Sequence, residues 1–554
     1  MKFMAVAAAC VLAFGGMVSE VSGADGAWTG GATGNWSDTA NWRDGVYASG
    51  IGAAAYFTNG VSARVWQDVA GLTLGHLHVA GGSVTVTNSD VTFNGAGPAT
   101  VTVAGAADTA NMEARLYGTA GQPVVKEGDG TLILAKYLSG LGGMTLNGGL
   151  TLLAFVPNSD GLNVGSGTIT VNPGATLKTG GANQINNQAV IDIKPGGVFD
   201  VNGMTDNIGA FTGAGVVSNA TAPLILWPNG VTRVFSGQYF GSSTVEPRQT
   251  GLTVGGEASF QNVWFNLFHE GALAFAPGVG RYLLGGITTT NAQVLALQDT
   301  AGAPITLALG SRNGNMTLAA LLTGPGGLEK AGTATLTLTN DHSFVGPTLV
   351  SGGTLVLGDG VRDGLLTNSA SLTVQAGRTL AFNTAADQTY AIPLGGAGTV
   401  TKTGAGTLAL GDLRMAPGTF TVNGGTLALN GGSSSGVTFT VNSGGVLNVN
   451  GLETRMGGFT ANAGSRIMFS GGSVTGATLA VAAAHDGPVR ITGGTHLFSS
   501  TIGNNHARYE QTGGTSGFVG TDGYNNTNEI FATVSGGTMR IGTVTHPRDR
   551  KSVV

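Results

Sequence analysis

Along most of this chain an apolar residue alternates with threonine, serine or asparagine, and the alternation restarts after pairs of glycines. "VSGGTLVLGDG" stands at 350–360, "VNGGTLALNGG" at 422–432, "VNSGGVLNVNG" at 441–451 and "VSGGTMRIG" at 534–542. Counted from the second glycine, positions +2 and +4 are apolar: Val84 and Val86, Phe199 and Val201, Leu355 and Leu357, Leu427 and Leu429, Leu447 and Val449, Met539 and Ile541. A period of two predicts strands with one buried face. The glycine pair supplies the positive φ that a sharp corner before each strand demands.

Spacing decides which β architecture these strands build. Second glycines at 425, 445, 472, 494, 514 and 537 are separated by 20, 27, 22, 20 and 23 residues. A sandwich would show turn signals about every 8–12 residues, whereas repeat units of roughly 20–50 residues mark solenoids. The expected fold is therefore all-β, a right-handed parallel β-helix or β-solenoid. Its rungs would rise ~4.8 Å each. No segment beyond the first residues shows a helical period.

Composition sharpens this picture. Of 554 residues 97 are glycine, and only 10% are charged, against about 7% and 25% in ordinary proteins. In a parallel stack each side chain faces its counterpart one rung away. Like charges repel there, while Thr, Ser and Asn ladders hydrogen-bond. The net charge of −5, with no basic block before the last residues, disfavours nucleic acid as a partner.

The first residues read as an address. Lys2 precedes the apolar run "AVAAACVLAF" at 5–14, and "VSGAD" places Ser22 and Ala24 at the −3 and −1 positions of a cleavage site. This predicts a Sec signal peptide over 1–24, cleaved after Ala24, which makes the Sec export machinery a partner. The single cysteine, Cys10, lies inside that leader.

Three longer segments share a fuller pattern: "GLEKAGTATLTLTNDHSFVGPTLVSGGTLVLGDG" at 327–360, "VTKTGAGTLALGDLRMAPGTFTVNGGTLALNGG" at 400–432 and "VVKEGDGTLILAKYLSGLGGMTLNGGLTLLA" at 124–154. They resemble the autotransporter-associated β-strand repeat, whose pattern runs K-x-G-x-G-T-L-x-L, a linker, then V-x-G-G-T-L-x-L. The first copy departs from it at Ala334, and the last strand of the third is out of phase. The resemblance implies a glycine-rich surface protein, exported by bacteria with an outer membrane. It also implies a C-terminal β-barrel translocator in some relatives, and no enzyme.

Two regions break the rhythm. Residues 25–59, with Trp28, Trp36 and Trp42, are expected to cap the apolar end of the solenoid, since terminal rungs must differ to stay soluble. Residues 225–300 form an aromatic-rich segment, with ten aromatic residues between 225 and 282. Aromatic core stacks are expected there, with a glycan-facing groove formed by Trp227, Trp264 and Phe265 as the alternative. Ordinary rungs fill 60–224 and 301–548.

Chemistry is sparse. No catalytic residue, cofactor site or metal site is assigned. Asp363, Asp387 and Asp412, 24 and 25 residues apart, could stack into a polar ladder beside Arg362 and Arg414, although Asp is also an ordinary turn residue. His76 and His78 share one strand face without a third ligand. His485, Asp486, Arg490, His496, His506, Arg508 and Glu510 gather about one rung apart in no recognised arrangement. The final residues "DRKSVV", Asp549 to Val554, match translation of a common sequencing adapter, so this tail is expected to be non-native and the gene to continue.

These observations point to an exported structural protein at the cell surface, outer membrane or outside the cell, serving as an adhesin passenger or stalk. Its expected partners are an outer-membrane β-barrel translocator and surface glycans. The alternatives are a β-helical carbohydrate-active enzyme, such as a polysaccharide lyase, and a glycan-binding module.

Overall fold

A computed structural model of the chain describes residues 23–155, 161–164, 167–227, 232–248, 251–267, 272–289, 293–415, 418–481, 487–503, 508–518 and 531–541. The chain divides into two compact units, Met1–Asn186 and Asn187–Val554. Each is a parallel β-solenoid. The helical content among the described residues is two single 3-10 turns, Thr39–Asn41 and Arg43–Gly45.

In the first unit, strands Ala63–Gln67, Ser83–Asn88, Thr109–Glu113, Thr131–Leu134 and Gly149–Leu153 pair in parallel, each with the strand of the next coil. Their register aligns Val65, Val86, Met112, Leu134 and Leu153 into one buried column. The out-of-phase strand shows what sets register. Thr151, not a leucine, faces inward opposite Leu132, while Leu150 and Leu152 stay half-exposed. Corner geometry outweighs the hydrophobic phase of that one strand.

The tryptophans of the first coil pack into one cluster. Trp28 and Trp42 meet edge to face at 5.3 Å, Trp36 lies 5.0 Å from Trp42, and all three contact Phe57. The Trp36 indole N–H donates to the Ala48 carbonyl at 3.0 Å and that of Trp42 to the Trp36 carbonyl at 2.8 Å. Buried indoles need such acceptors.

The second unit repeats the scheme. A ladder runs through Thr335–Leu338, Thr354–Leu357, Thr379–Asn383, Thr399–Thr403, Thr419–Val422 and Ser433–Val441. Inside it Phe420, Phe439 and Phe459 stack rung on rung, with ring centroids 5.1 Å apart at both steps. Phe235, Tyr239, Phe260, Phe265, Phe275 and Tyr282 are also buried, so these members of the aromatic segment fill core.

Outward faces follow the ladder rule. The Asn442 amide donates to Asn423 at 2.6 Å, and Asn462 donates to Asn442 at 2.7 Å. Some charges pair across coils: Arg281 reaches Glu257 at 2.7 Å and Glu329 at 2.9 Å.

Glycine pairs mark corners for two separate reasons. Gly353 has φ +51, and a Cβ there would stand 2.3 Å from the Ala334 carbonyl of the preceding coil. Gly425 has φ +60 and would meet the Gly406 carbonyl at 2.5 Å. Both the backbone angle and the close stacking of corners exclude a side chain.

Candidate functional site

The most constrained chemistry among the described residues lies at the corners of the three repeat-like segments. Lys126, Lys330 and Lys402 stand at inward positions of their strands. Their neighbours in register are Val101 and Leu146, Leu309 and Val350, and Phe382 and Val422. All three lysines are buried, at 0, 1 and 1% exposure. An ammonium group in such a column needs acceptors, and each finds three backbone carbonyls. Lys126 Nζ donates to Gly128, Gly130 and Gly148 at 2.5, 2.7 and 2.6 Å. Lys330 Nζ donates to Ala331, to Gly332 at 3.0 Å and to Gly352 at 3.2 Å. Lys402 Nζ donates to Thr403, Gly404 and Gly424 at 2.7, 2.9 and 3.3 Å.

In every case one acceptor is the first glycine of a pair 22 residues further on, in the next coil. Each lysine therefore ties its own glycine turn to the corner stacked upon it. Burial pushes Lys126 and Lys330 down to about 8, and lowers Lys402 as well. The ammonium forms of Lys126 and Lys330 still prevail at neutral pH. The alternation of the sequence already puts these lysines in the inward phase (Val124 and Lys126, Leu328 and Lys330, Val400 and Lys402). That was the available signal of their role.

The aspartates do not form the single ladder their spacing allowed. Asp363 accepts from the backbone N–H of Ala385 at 2.6 Å and from the Gln388 side chain at 2.9 Å. Asp387 accepts from the Thr407 N–H at 2.6 Å, 20 residues on, and that bond holds its carboxyl below the usual range. Asp412 pairs with Arg414 at 2.6 Å beside a different strand, whose register sets Leu413 against Leu394. Asp363 thus meets the residues on either side of Asp387, but Asp387 reaches its own partner after only 20 residues, so a separation of 25 does not carry the column on to Asp412. Two of the three acids brace the next coil.

Nor do the three selected aromatics form one surface. Phe265 is in the core. The half-buried Trp264 donates from its indole N–H to the Thr288 hydroxyl. Trp227 is exposed at 39%, with the Arg248 guanidinium 5.8 Å from its ring centroid.

His76 bonds to the Thr100 hydroxyl at 2.7 Å, and His78 lies 5.9 Å from Tyr56. His496 is buried against Phe469 and bonds to the Gly493 carbonyl at 2.8 Å. Arg490 pairs with Glu510 at 3.2 Å. His485, Asp486 and His506 lie outside the described residues, as do residues 1–22 of the leader, with Ser22, and the tail Asp549 to Val554. Among the described residues no three His, Cys, Asp or Glu side chains come together as metal ligands.

Ala24 takes part in the fold. Its N–H donates to Ser49 O at 2.9 Å and its carbonyl accepts from Ser49 N at 3.0 Å. The next residue, Asp25, accepts from the Ala54 N–H at 2.8 Å.

The family model of the passenger-associated-transport-repeat matches residues 328–357 and 400–429. Both matched stretches contain a buried lysine of the kind described, and Lys126 makes the same bonds in 124–154. The chain is also 30% identical over 224 residues to a protein of Brucella suis biovar 1 (strain 1330) named Adhesin BmaC autotransporter. That alignment covers 34% of this chain and 6% of the relative, so the chain spans a small part of the relative's length. No solved structure matches. With coils, corners and matched stretches in agreement, the chain is a parallel β-solenoid that carries two passenger-associated-transport repeats.

Proposed function

We propose that this chain is part of the stalk of an exported adhesin, displayed at the bacterial surface to make contact and not to catalyse. The observation that carries this reading is the 224-residue likeness to an autotransporter adhesin, in a chain that also holds two passenger-associated repeats. The physical design agrees with it. Coils joined by backbone ladders and corner lysines give a scaffold that needs no disulfide.

In this reading the chain leaves the cytoplasm through Sec, and cleavage after Ala24 frees Asp25 as the mature N-terminus. The tryptophan cluster of 25–59 covers the first coil. In the whole protein an outer-membrane β-barrel translocator carries the passenger across the outer membrane, and host or neighbouring-cell glycans are the contacts outside. The enzyme alternative draws no support from the aspartates, two of which brace the next coil.

The test is made on cells expressing the complete gene. Antibody to residues 23–541 should label intact cells, external protease should remove that label, and deletion of the gene should lower attachment to glycan-bearing surfaces. Mass spectrometry of the shed passenger should give Asp25 as its first residue. Protein that stays protease-resistant inside intact cells would overturn the proposal.

A further inference from the structure

A groove of about 500 Å³ opens in the second unit, lined by Ala220, Gly241, Ser242, Asn262, Ser311, Arg312 and Asn313. It lies where the regular coil is interrupted. The ladder through Val216–Ser218 ends at Gln238–Phe240, and the twelve-stranded ladder begins at Met316–Leu318. Between them, Phe260 stands opposite Leu284 but Trp264 stands opposite Gly286. Strand Phe260–Asn266 therefore carries extra residues, including Asn262, in a bulge. Bulges re-aim side chains and gather beside functional sites.

The groove is held open by its own bonds. The Ser311 hydroxyl contacts the Gln261 and Leu284 carbonyls, which ties the 310–314 turn to the bulge. Asn313 sits at φ +58, and its side-chain oxygen accepts from the Thr333 N–H at 2.7 Å. Its amide N–H groups remain for a ligand. The Ser242 hydroxyl donates to Ala220 at 3.0 Å. Gly241, at φ +104, lets this corner stack tightly on the one before it, since a Cβ there would stand 2.0 Å from the Asn219 carbonyl. The preceding Phe240 exposes 53% of its surface.

Charge selects the ligand. Arg64, Arg248, Arg281, Arg414 and Arg490 all pair with acids. The half-exposed Arg312 has no ion-pair or side-chain hydrogen-bond partner among the described residues. A guanidinium presents a planar fork that matches a carboxylate. Amides and hydroxyls around it suit sugar hydroxyls, and an exposed aromatic suits a sugar face. A volume of about 500 Å³ falls within the roughly 300–1,000 Å³ of small-molecule sites. An open groove accepts a segment of a longer chain.

We propose that this groove binds a carboxylated glycan, a uronic-acid-containing chain, with Arg312 holding the carboxylate and Asn262, Asn313 and Ser242 the hydroxyls. This assignment rests on the groove alone and stands or falls separately from surface display. Titration calorimetry on the full chain would use an oligogalacturonate hexamer, with cellohexaose as the neutral control and a κ-carrageenan hexasaccharide, sulfated but free of carboxylate, as the sulfated one. The expected result is binding of oligogalacturonate only. Arg312→Gln should weaken it at least tenfold, and Arg312→Lys should restore little because the fork is lost. Asn262→Ala, on an exposed bulge, should weaken it a few-fold while leaving the thermal midpoint unchanged. The proposal is overturned by no heat with oligogalacturonate at millimolar concentration. Equal binding of cellohexaose, preference for the carrageenan fragment, or an Arg312→Gln variant that folds and binds like the parent would each do the same.

Discussion

Replacing Lys330 with methionine keeps most of the buried stem and removes the ammonium. The bonds to Ala331, Gly332 and Gly352 disappear, and so does the burden of burying an ion. These two changes largely offset each other. What remains is the set of carbonyls left without their donor. Gly332 is half-exposed and can turn to water, whereas Ala331 and Gly352 are buried. Two unsatisfied buried acceptors at about 1–3 kcal/mol each give a loss of roughly 2–6 kcal/mol. Solenoids need not unfold in a single step, so a local readout is the right one. The Ser351 and Gly352 N–H groups both donate to the Lys330 carbonyl at 3.0 Å, and their hydrogen exchange reports opening of this corner. Exchange there should accelerate roughly 30-fold to 20,000-fold, at about 1.4 kcal/mol per decade. Lys126→Met, in the other unit, should leave these two amides unchanged. Exchange at Ser351 and Gly352 within about threefold of the parent in Lys330→Met would refute the reasoning. The ammonium would then only compensate for its own burial.

Three further outcomes follow from the same geometry. Lys126 and Lys330 are lowered from 10.5 to about 8 in the fold, while Tyr239 and Tyr509 are raised from 10.0 to about 12. Between pH 8 and 10 the unfolded chain binds more protons at those lysines, so stability should rise with pH. Above pH 10 it loses more protons at those tyrosines, so stability should turn down. Urea midpoints from pH 7 to 11 check this, and Lys126→Met with Lys330→Met should flatten the rising limb. His342 accepts from the Leu322 N–H at 3.1 Å through Nδ1, and burial lowers it from 6.5 to about 4. The protein should therefore lose stability as pH falls from 6.5 through 4, and His342→Gln should remove that part of the slope in the same assay. Gly353→Ala meets both a left-handed φ and a carbonyl at 2.3 Å, whereas Gly444, at φ +80, has open space around its Cβ position. In thermal melts Gly444→Ala should show only the backbone penalty, about 1–2 kcal/mol. Gly353→Ala should exceed it, because the corner beneath must move.

Much of the architecture was legible from local rules. Alternation named the inward residues, as with Leu355 and Leu357, both of which are buried. The glycine pairs placed the corners, and separations of 20 to 27 residues called for stacked coils. These features are legible because each depends on a few neighbouring positions: side chains on opposite faces of a strand, and angles open only to glycine. The candidate sites were less legible. Asp363, Asp387 and Asp412 have nearly equal spacing, yet Asp387 meets Thr407 only 20 residues on, since each coil has its own length. Trp264 and Phe265 are adjacent in the chain and were grouped together, but the pleat sends Phe265 into the core and leaves Trp264 half-exposed.

By itself, then, the sequence determined that this chain folds into parallel coils with glycine corners and an apolar column. It even put three lysines in that column. Only the tertiary structure decided what those lysines do, because one acceptor of each belongs to the next coil, 22 residues away. It likewise decided the groove at Arg312, whose lining runs from Ala220 to Asn313 and meets across a bulge that no periodicity announces. Strand phase and turn chemistry act within a few residues. Register between coils is settled only when every corner, column and ladder is satisfied at once.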